Sequence, residues 1–231
     1  MRIFLAGATG ATGQVFVPLA SKAGIEQRLH VRPQSAAKTS LGKDPRAKVF
    51  DLSDREALES AVVGCEAVIS FVGTMRSRFK AGDTYESSDV GSTRLLVEGA
   101  RASNVPRFLL LSSVGAGGAG AYLKMKGECE RIVKQSGLRY TIFRPSALVS
   151  PPEGDAETSH LGRRQVPAIA GWTMAVVGAL PGLGAWADRL KPIPISVVCH
   201  AFLRVLEKPR DGEVIEGQAL WTLGAEQSRG S

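Results

Sequence analysis

Gly7-Ala8-Thr9-Gly10-Ala11-Thr12-Gly13 lies between an apolar run, Ile3-Phe4-Leu5-Ala6, and a helix-like run from Gln14 to Lys22. The order reads strand, tight turn, helix. Glycines in such a turn let the backbone approach another group closely, because no Cβ intervenes. The following helix aims free N–H groups and the positive end of its dipole back at the turn, a ready site for an anion. The spacing is G-x-x-G-x-x-G rather than G-x-G-x-x-G, and three glycines alone occur in many loops. Context decides: the strand opens at the N-terminus, and a second strand follows at the distance expected of a dinucleotide-binding βαβ unit. Gly7, Thr9, Gly10, Ala11, Thr12 and Gly13 are therefore assigned to a cofactor pyrophosphate.

The second strand reads as Gln27 to Val31 and ends in His30-Val31-Arg32-Pro33. An NAD-type site places a carboxylate about 20 residues beyond the glycines, on the ribose 2′-hydroxyl. Here Arg32 stands in that place. A guanidinium pairs well with a 2′-phosphate, so NADP(H) is expected in preference to NAD(H). The third strand, Lys48-Val49-Phe50, closes at Asp51-Leu52, the adenine side of the site. Asp51 can accept from the adenine amine, or can cap the helical stretch Asp54–Val63. The fourth strand, Ala67 to Phe71, runs into Val72-Gly73-Thr74, where small residues let the chain pass the phosphates.

The remaining chain keeps alternating. A helix is expected from Asp89 to Ala102, with Val90, Thr93, Leu96, Val97 and Ala100 on one face. Phe108 to Ser112 is a continuous apolar strand, as in the middle of a parallel sheet. A helix opens at Tyr122 and ends near Ser136-Gly137, and Tyr140 to Phe143 is the sixth strand. Ser196 to Leu206 is the last clear helix, with Ser196 as its expected cap, after the strand-like Pro192–Ile195. The fold class is α/β: a Rossmann doubly wound parallel sheet flanked by helices, with right-handed crossovers. A single domain is expected, with residues 1–150 as cofactor-binding core and 151–225 as a small substrate-side lid plus final helix and strand.

The 231 residues are 44% hydrophobic and 22% charged, which suits a globular chain rather than a disordered one. The formal charge of +7 admits a nucleic-acid partner. The Lys and Arg residues are scattered, however, without a basic run interleaved with aromatics, so none is expected. Cys65, Cys129 and Cys199 are far apart and form no C-x-x-C pair, which suggests reduced thiols and a cytoplasmic setting. His30, His160 and His200 share no ligand spacing with carboxylates, and no metal is assigned. Gln165 to Ala187 carries no charge but contains Pro167, Pro181 and four glycines. It is read as an apolar wall or lid over the substrate, not as a membrane span. Loops at 75–83, with Arg76, Arg78 and Lys80, and at 151–165 are placed at the pocket rim. Monomer and homodimer both remain open.

Tyr122 and Lys126 are four apart on one helix face. Carbonyl reduction needs a proton donor beside the carbonyl oxygen, and an unassisted tyrosine titrates near 10. A nearby ammonium favours the phenolate and brings the group toward working pH. Lys126 can also bond the nicotinamide ribose. Ser112 or Ser113, at the C-terminal end of the fifth strand, can hold the substrate carbonyl, because ligands sit at such strand ends.

With these pieces placed, the chain resembles the atypical short-chain dehydrogenase/reductases, in the branch of the human Tat-interacting oxidoreductase and near the NmrA-like proteins. The resemblance rests on GATGATGQ, FVGTMRSRF, FLLLSSVGA, YLKMKGECE, LRYTIFRPSALVSP and KPIPISVV, which follow in order over nearly the whole chain. It implies a Rossmann fold and NADP(H). It also implies Ser113 (or Ser112), Tyr122 and Lys126 as the catalytic set, with Pro145 and Ser146 near the nicotinamide. The function expected is an NADP(H)-dependent oxidoreductase acting on a small carbonyl or alcohol. The alternative is an NADP(H)-binding redox sensor without turnover, since the family includes such proteins.

Overall fold

A computed structural model describes residues 1–73, 89–149 and 190–225. The element order is β1 (Arg2–Ala6), α1 (Ala11–Lys22), β2 (Glu26–Val31), α2 (Pro33–Ala36), β3 (Ala47–Val49) and α3 (Arg55–Val62). Then follow β4 (Ala67–Ser70), α4 (Gly91–Ala102), β5 (Arg107–Leu111), α5 (Ala121–Lys134), β6 (Arg139–Arg144) and β7 (Leu148–Val149). The chain closes with β8 (Ile193–Pro194), α6 (Ile195–Glu207), β9 (Glu213–Glu216) and α7 (Gly217–Ala225).

Seven strands form one sheet in the order β3-β2-β1-β4-β5-β6-β9, and every pairing is parallel. The chain builds outward from β1 to β3, returns to β4 on the other side of β1, and builds outward again. This reversal opens a crevice beyond the C-terminal ends of β1 and β4, where ligands of doubly wound sheets bind. Leu5 pairs with Leu29 on one side and Ile69 on the other, so the glycine turn after β1 and Val72-Gly73 after β4 leave the sheet side by side. The short strands β7 and β8 form a separate parallel pair.

Strands buried on both faces read as unbroken apolar runs. Phe108, Leu109 and Leu110 are at most 2% exposed. One core packs Ile3, Leu5, Ile69 and Leu109 against α1, α6 and α7. The other packs Phe4, Val68, Phe108 and Leu110 against α3, α4 and α5. The first core centres on Phe202 of α6. Its ring stacks on Phe143 of β6 at 3.8 Å and meets the Phe71 ring edge-on at 4.9 Å. Phe16 of α1 joins Phe71 edge-on at 5.3 Å. Four aromatics thus tie α1, the end of β4, β6 and α6 together directly beneath the crevice.

Several sequence expectations change in detail. The cap of α3 is Asp54, whose carboxylate accepts from the Ala57 N–H at 3.0 Å. Asp51 instead accepts from the Ser53 N–H and hydroxyl in the preceding turn. Ser196 is not a cap: α6 starts one residue earlier, after Pro194, without a side-chain cap. Nor is α6 the last helix, because β9 and α7 follow and extend the sheet beyond β6. Short, partly exposed β9 carries too little apolar pattern to stand out, and tertiary pairing with β6 makes it a strand. In the expected helix from Asp89, the first described residues, Asp89 and Val90, have π-type geometry, and regular helix runs from Gly91. The loops at 75–83 and 151–165, Thr74 and the segment Gln165–Ala187 lie outside the described residues.

Removing the Phe202 ring leaves a cavity among three other aromatics. Phe202→Ala is expected to cost about 3–5 kcal/mol of stability, read as a lowered midpoint in urea unfolding.

Candidate functional site

The glycine turn is built by steric exclusion. Gly7 has φ +90°, and a Cβ there would lie 2.7 Å from the Phe71 carbonyl carbon. A Cβ on Gly13 would lie 2.4 Å from the Gly7 carbonyl oxygen. Only hydrogen at both positions lets the turn press against the end of β4 while α1 presses against the turn. Gly10 donates its N–H to Gly7 O at 3.1 Å, and Gln14 donates to Gly10 O at 2.9 Å. The N–H groups of Ala11, Thr12 and Gly13 then have no carbonyl one turn back in α1. They form the donor cluster that fits a pyrophosphate. Thr12 is buried, and its carbonyl accepts from the Cys199 thiol of α6 at 3.6 Å. Burial pushes that thiol up, so it is inert.

The adenine side lies at the ends of β2 and β3. Arg32 stands at the start of α2, half-buried, with its carbonyl accepting from Ser35 N and Ala36 N. Its charge reaches both His30 and Asp51. His30 is buried and donates from Nε2 to Phe50 O at 3.0 Å. Burial lowers its pKa below the ordinary histidine value, opposed by that hydrogen bond. Hydrogen bonds from the Ser53 N–H and hydroxyl hold the Asp51 carboxyl below its usual range, and Arg32 adds to them. The Leu52 side chain belongs to the core over α3–α5, so only its backbone is available to a ligand.

The centre of the crevice is held by Lys126. Its ammonium is buried, 3.5 Å from Val72 O and 3.5 Å from Leu111 O, at the ends of β4 and β5. It forms an ion pair of 3.7 Å with Asp89, whose side chain is 1% exposed. A Cβ at Gly73 would lie 3.9 Å from both charged atoms, which places the pair directly under the crossing chain. The ammonium stands 6.0 Å from the Tyr122 ring centroid. Tyr122 is 39% exposed and faces outward above the lysine. The expected pair is thus assembled, and it has a third member that spacing did not reveal. Asp89 and Lys126 are 37 positions apart in sequence, so nothing local links them.

The two serines separate. Ser112 is buried and donates its hydroxyl to Glu130 Oε1 at 2.6 Å. That correction leaves Ser113, which is half-buried and donates to Val114 O at 3.3 Å. Pro145 O accepts from Val114 N at 2.9 Å, which ties the Ser113 turn to the end of β6. The Ser146 hydroxyl is engaged by the Lys191 carbonyl. Ser146 therefore fastens the segment before β8 to the end of β6.

Glu130, four residues beyond Lys126, was not singled out, although Tyr122, Lys126 and Glu130 lie on one helix face. Its buried carboxylate receives two hydrogen bonds of 2.7 Å from Arg144, one from Ser112, and a contact of 3.3 Å from Lys134. Arg144 also reaches Glu216 of β9 at 3.4 Å. Burial pushes the Glu130 carboxyl up, but hydrogen bonds from Arg144 and Ser112 and the charge of Arg144 together hold it below the usual range. One carboxylate thereby clamps α5 to the C-terminal ends of β5 and β6, and through Arg144 to β9. Because the folded pKa is depressed, this stabilisation is present above the unfolded value of ~4.3 and is lost as pH falls through the folded value. Glu130→Ala is expected to cost about 3–5 kcal/mol by removing the buried carboxylate that Arg144 and Ser112 bond. Its unfolding midpoint should also vary less with pH below about 5 than that of the parent protein, as urea titrations across pH would show.

Among the described residues no group of His, Cys, Asp and Glu could hold a metal, all three cysteines are free and buried, and no helix is long and apolar enough to cross a membrane.

The comparisons with known proteins agree with this geometry. A family model described as NAD(P)H-binding matches residues 7–175. A chloroplastic protein of Arabidopsis thaliana is 31% identical over 175 residues, covering 67% of this chain and 62% of the relative. The mitochondrial protein FMP52 of Candida albicans is 28% identical over 227 residues, covering 93% of this chain and 91% of the relative. The chain thus spans less than two thirds of the Arabidopsis relative and nearly all of the Candida one. A short-chain dehydrogenase/reductase superfamily protein from Agrobacterium tumefaciens, solved with bound NAD, superposes with a TM-score of 0.65 at 19% identity, covering 94% of this chain and 77% of the other. That likeness is one of fold. The organellar relatives overturn the cytoplasmic expectation, because reduced cysteines report a redox state and not a compartment. Glycine turn, sheet order and family match converge: the chain belongs to the NAD(P)H-binding Rossmann family.

Proposed function

We propose that the protein is an NADP(H)-dependent oxidoreductase of the short-chain dehydrogenase type, acting on a small carbonyl or alcohol. The observation that carries this reading is the buried Lys126 ammonium at the C-terminal ends of β4 and β5, with the Tyr122 ring above it. When bound, the nicotinamide supplies or accepts a hydride. The chain's own residues do the rest. The N–H groups of Ala11, Thr12 and Gly13 bind the pyrophosphate, with Gly7, Thr9 and Gly10 shaping the turn. Arg32 pairs with the 2′-phosphate, while Asp51 and the Leu52 backbone border the adenine. Val72, Gly73, Thr74, Pro145 and Ser146 line the path to the nicotinamide, and Lys126 bonds its ribose. Tyr122 donates the proton to the carbonyl oxygen, and Ser113 holds that oxygen in place. The substrate side is assigned to the segment 151–225.

A cofactor-binding regulator is the second reading. The observation that favours it is that the Ser112 hydroxyl is taken by Glu130 and the Ser113 hydroxyl donates to Val114 O, so holding a substrate oxygen requires the Ser113 hydroxyl to turn. Such a protein binds NADP(H) without turnover and changes its affinity for another partner between the bound and free states.

Two experiments test these assignments. Tyr122→Phe should abolish reduction of any carbonyl that the parent accepts, a loss of at least about a hundredfold, with NADPH affinity unchanged by calorimetry. Turnover by the Phe variant equal to the parent's removes Tyr122 as the acid, and a carbonyl screen without turnover favours the regulator. Arg32→Asp should weaken NADPH binding about 10- to 100-fold and NADH binding far less. Equal parental affinity for the two cofactors contradicts the 2′-phosphate assignment.

A further inference from the structure

Lys126 is the central cation of the crevice, yet it does not stand there as an isolated charge. Its ammonium and the Asp89 carboxylate are 6% and 1% exposed and lie 3.7 Å apart. Asp89 has π-type geometry just before the regular helix α4, a local geometry often found at functional sites. That geometry is fixed from within, because the Thr93 hydroxyl donates to the Asp89 carbonyl at 2.8 Å. The two carboxylates of α5 are committed elsewhere, Glu128 to Arg131 and Glu130 to Arg144, Ser112 and Lys134. Asp89 is thus the carboxylate that the fold delivers to Lys126, from the neighbouring helix beneath the Val72-Gly73 crossing.

A nicotinamide ring is a cation when oxidised and neutral when reduced. A lone buried ammonium beside it would disfavour the oxidised form selectively, since buried charges are weakly screened. We infer that Asp89 is a positioning residue that cancels the charge of Lys126 at the nicotinamide end, so that the oxidised cofactor is not repelled from the site. The inference rests on the cofactor reading proposed above. It assigns Asp89 a task beyond holding the fold: it sets the balance between the two redox forms of one ligand.

The test is calorimetric titration of NADP+ and of NADPH at pH 7. It uses the full chain as parent, Asp89→Asn, Asp89→Glu and the double variant Asp89→Asn/Lys126→Met. Asp89→Asn should raise the ratio Kd(NADP+)/Kd(NADPH) about tenfold, the scale of one uncompensated charge in a partly buried site. Asp89→Glu should keep the parental ratio even where both affinities fall. The double variant, again without net charge, should return the ratio close to the parental value. Asp89→Ser removes the same charge and replaces Asp89→Asn should that variant fail to fold. Equal weakening of both forms in the charge-removing variant, with the ratio unchanged, overturns the inference and leaves Asp89 a structural ion pair. Binding of neither form by the parent is a different failure: the cofactor reading itself falls, and the inference with it.

Discussion

Two missing side chains govern this molecule. The turn after β1 passes so close to the end of β4, and α1 sits so close to the turn, that a Cβ at Gly7 or Gly13 would collide with backbone rather than with a side chain able to move. Backbone cannot give way without separating β1 from β4, the pair at the centre of the sheet. The same close approach brings the first N–H groups of α1 to the mouth of the crevice. A constraint on packing and a capacity to bind an anion are therefore one feature here.

Around that turn the fold places its charges with a clear division. Glu130 and Arg144 bind elements to one another, joining α5 to the ends of β5, β6 and β9. Asp89 and Lys126 sit one helical turn away, beneath the crossing of Val72 and Gly73. The first set is saturated by short hydrogen bonds. The second is held at longer range by two carbonyls and a carboxylate, with a half-exposed tyrosine above. Rigid support next to a buried charged centre is the arrangement expected at a ligand site. Beneath both, the Phe16, Phe71, Phe143 and Phe202 cluster fixes the floor.

The sequence singles out Tyr122 and Lys126 of the candidate site but not the contacts among its members. Lys126 could be found because it shares a helix face with Tyr122, four residues away. Glu130 carried the same signal one turn further on. It could have been read the same way, but its partner Arg144 lies on a different strand. Ser112 and Ser113 are chemically equivalent in sequence. Which one turns inward depends on where α5 puts a carboxylate. Asp89 read simply as a helix start, because its partner comes from the far side of a crossover. Asp51 read as a cap of α3, and only the backbone geometry gives that place to Asp54.

The amino-acid sequence by itself determined the alternation of strand and helix, the apolar strands buried on both faces, and the glycine turn with its anion-binding helix. These follow from local sterics and periodicity, which act over a few residues. The tertiary structure alone decided that β9 extends the sheet, that Ser112 serves Glu130, and that Lys126 meets Asp89. Each of those depends on groups far apart in the chain being carried to one place by the crossovers of the sheet. Contacts of that kind leave no period or spacing in the sequence from which they could be read.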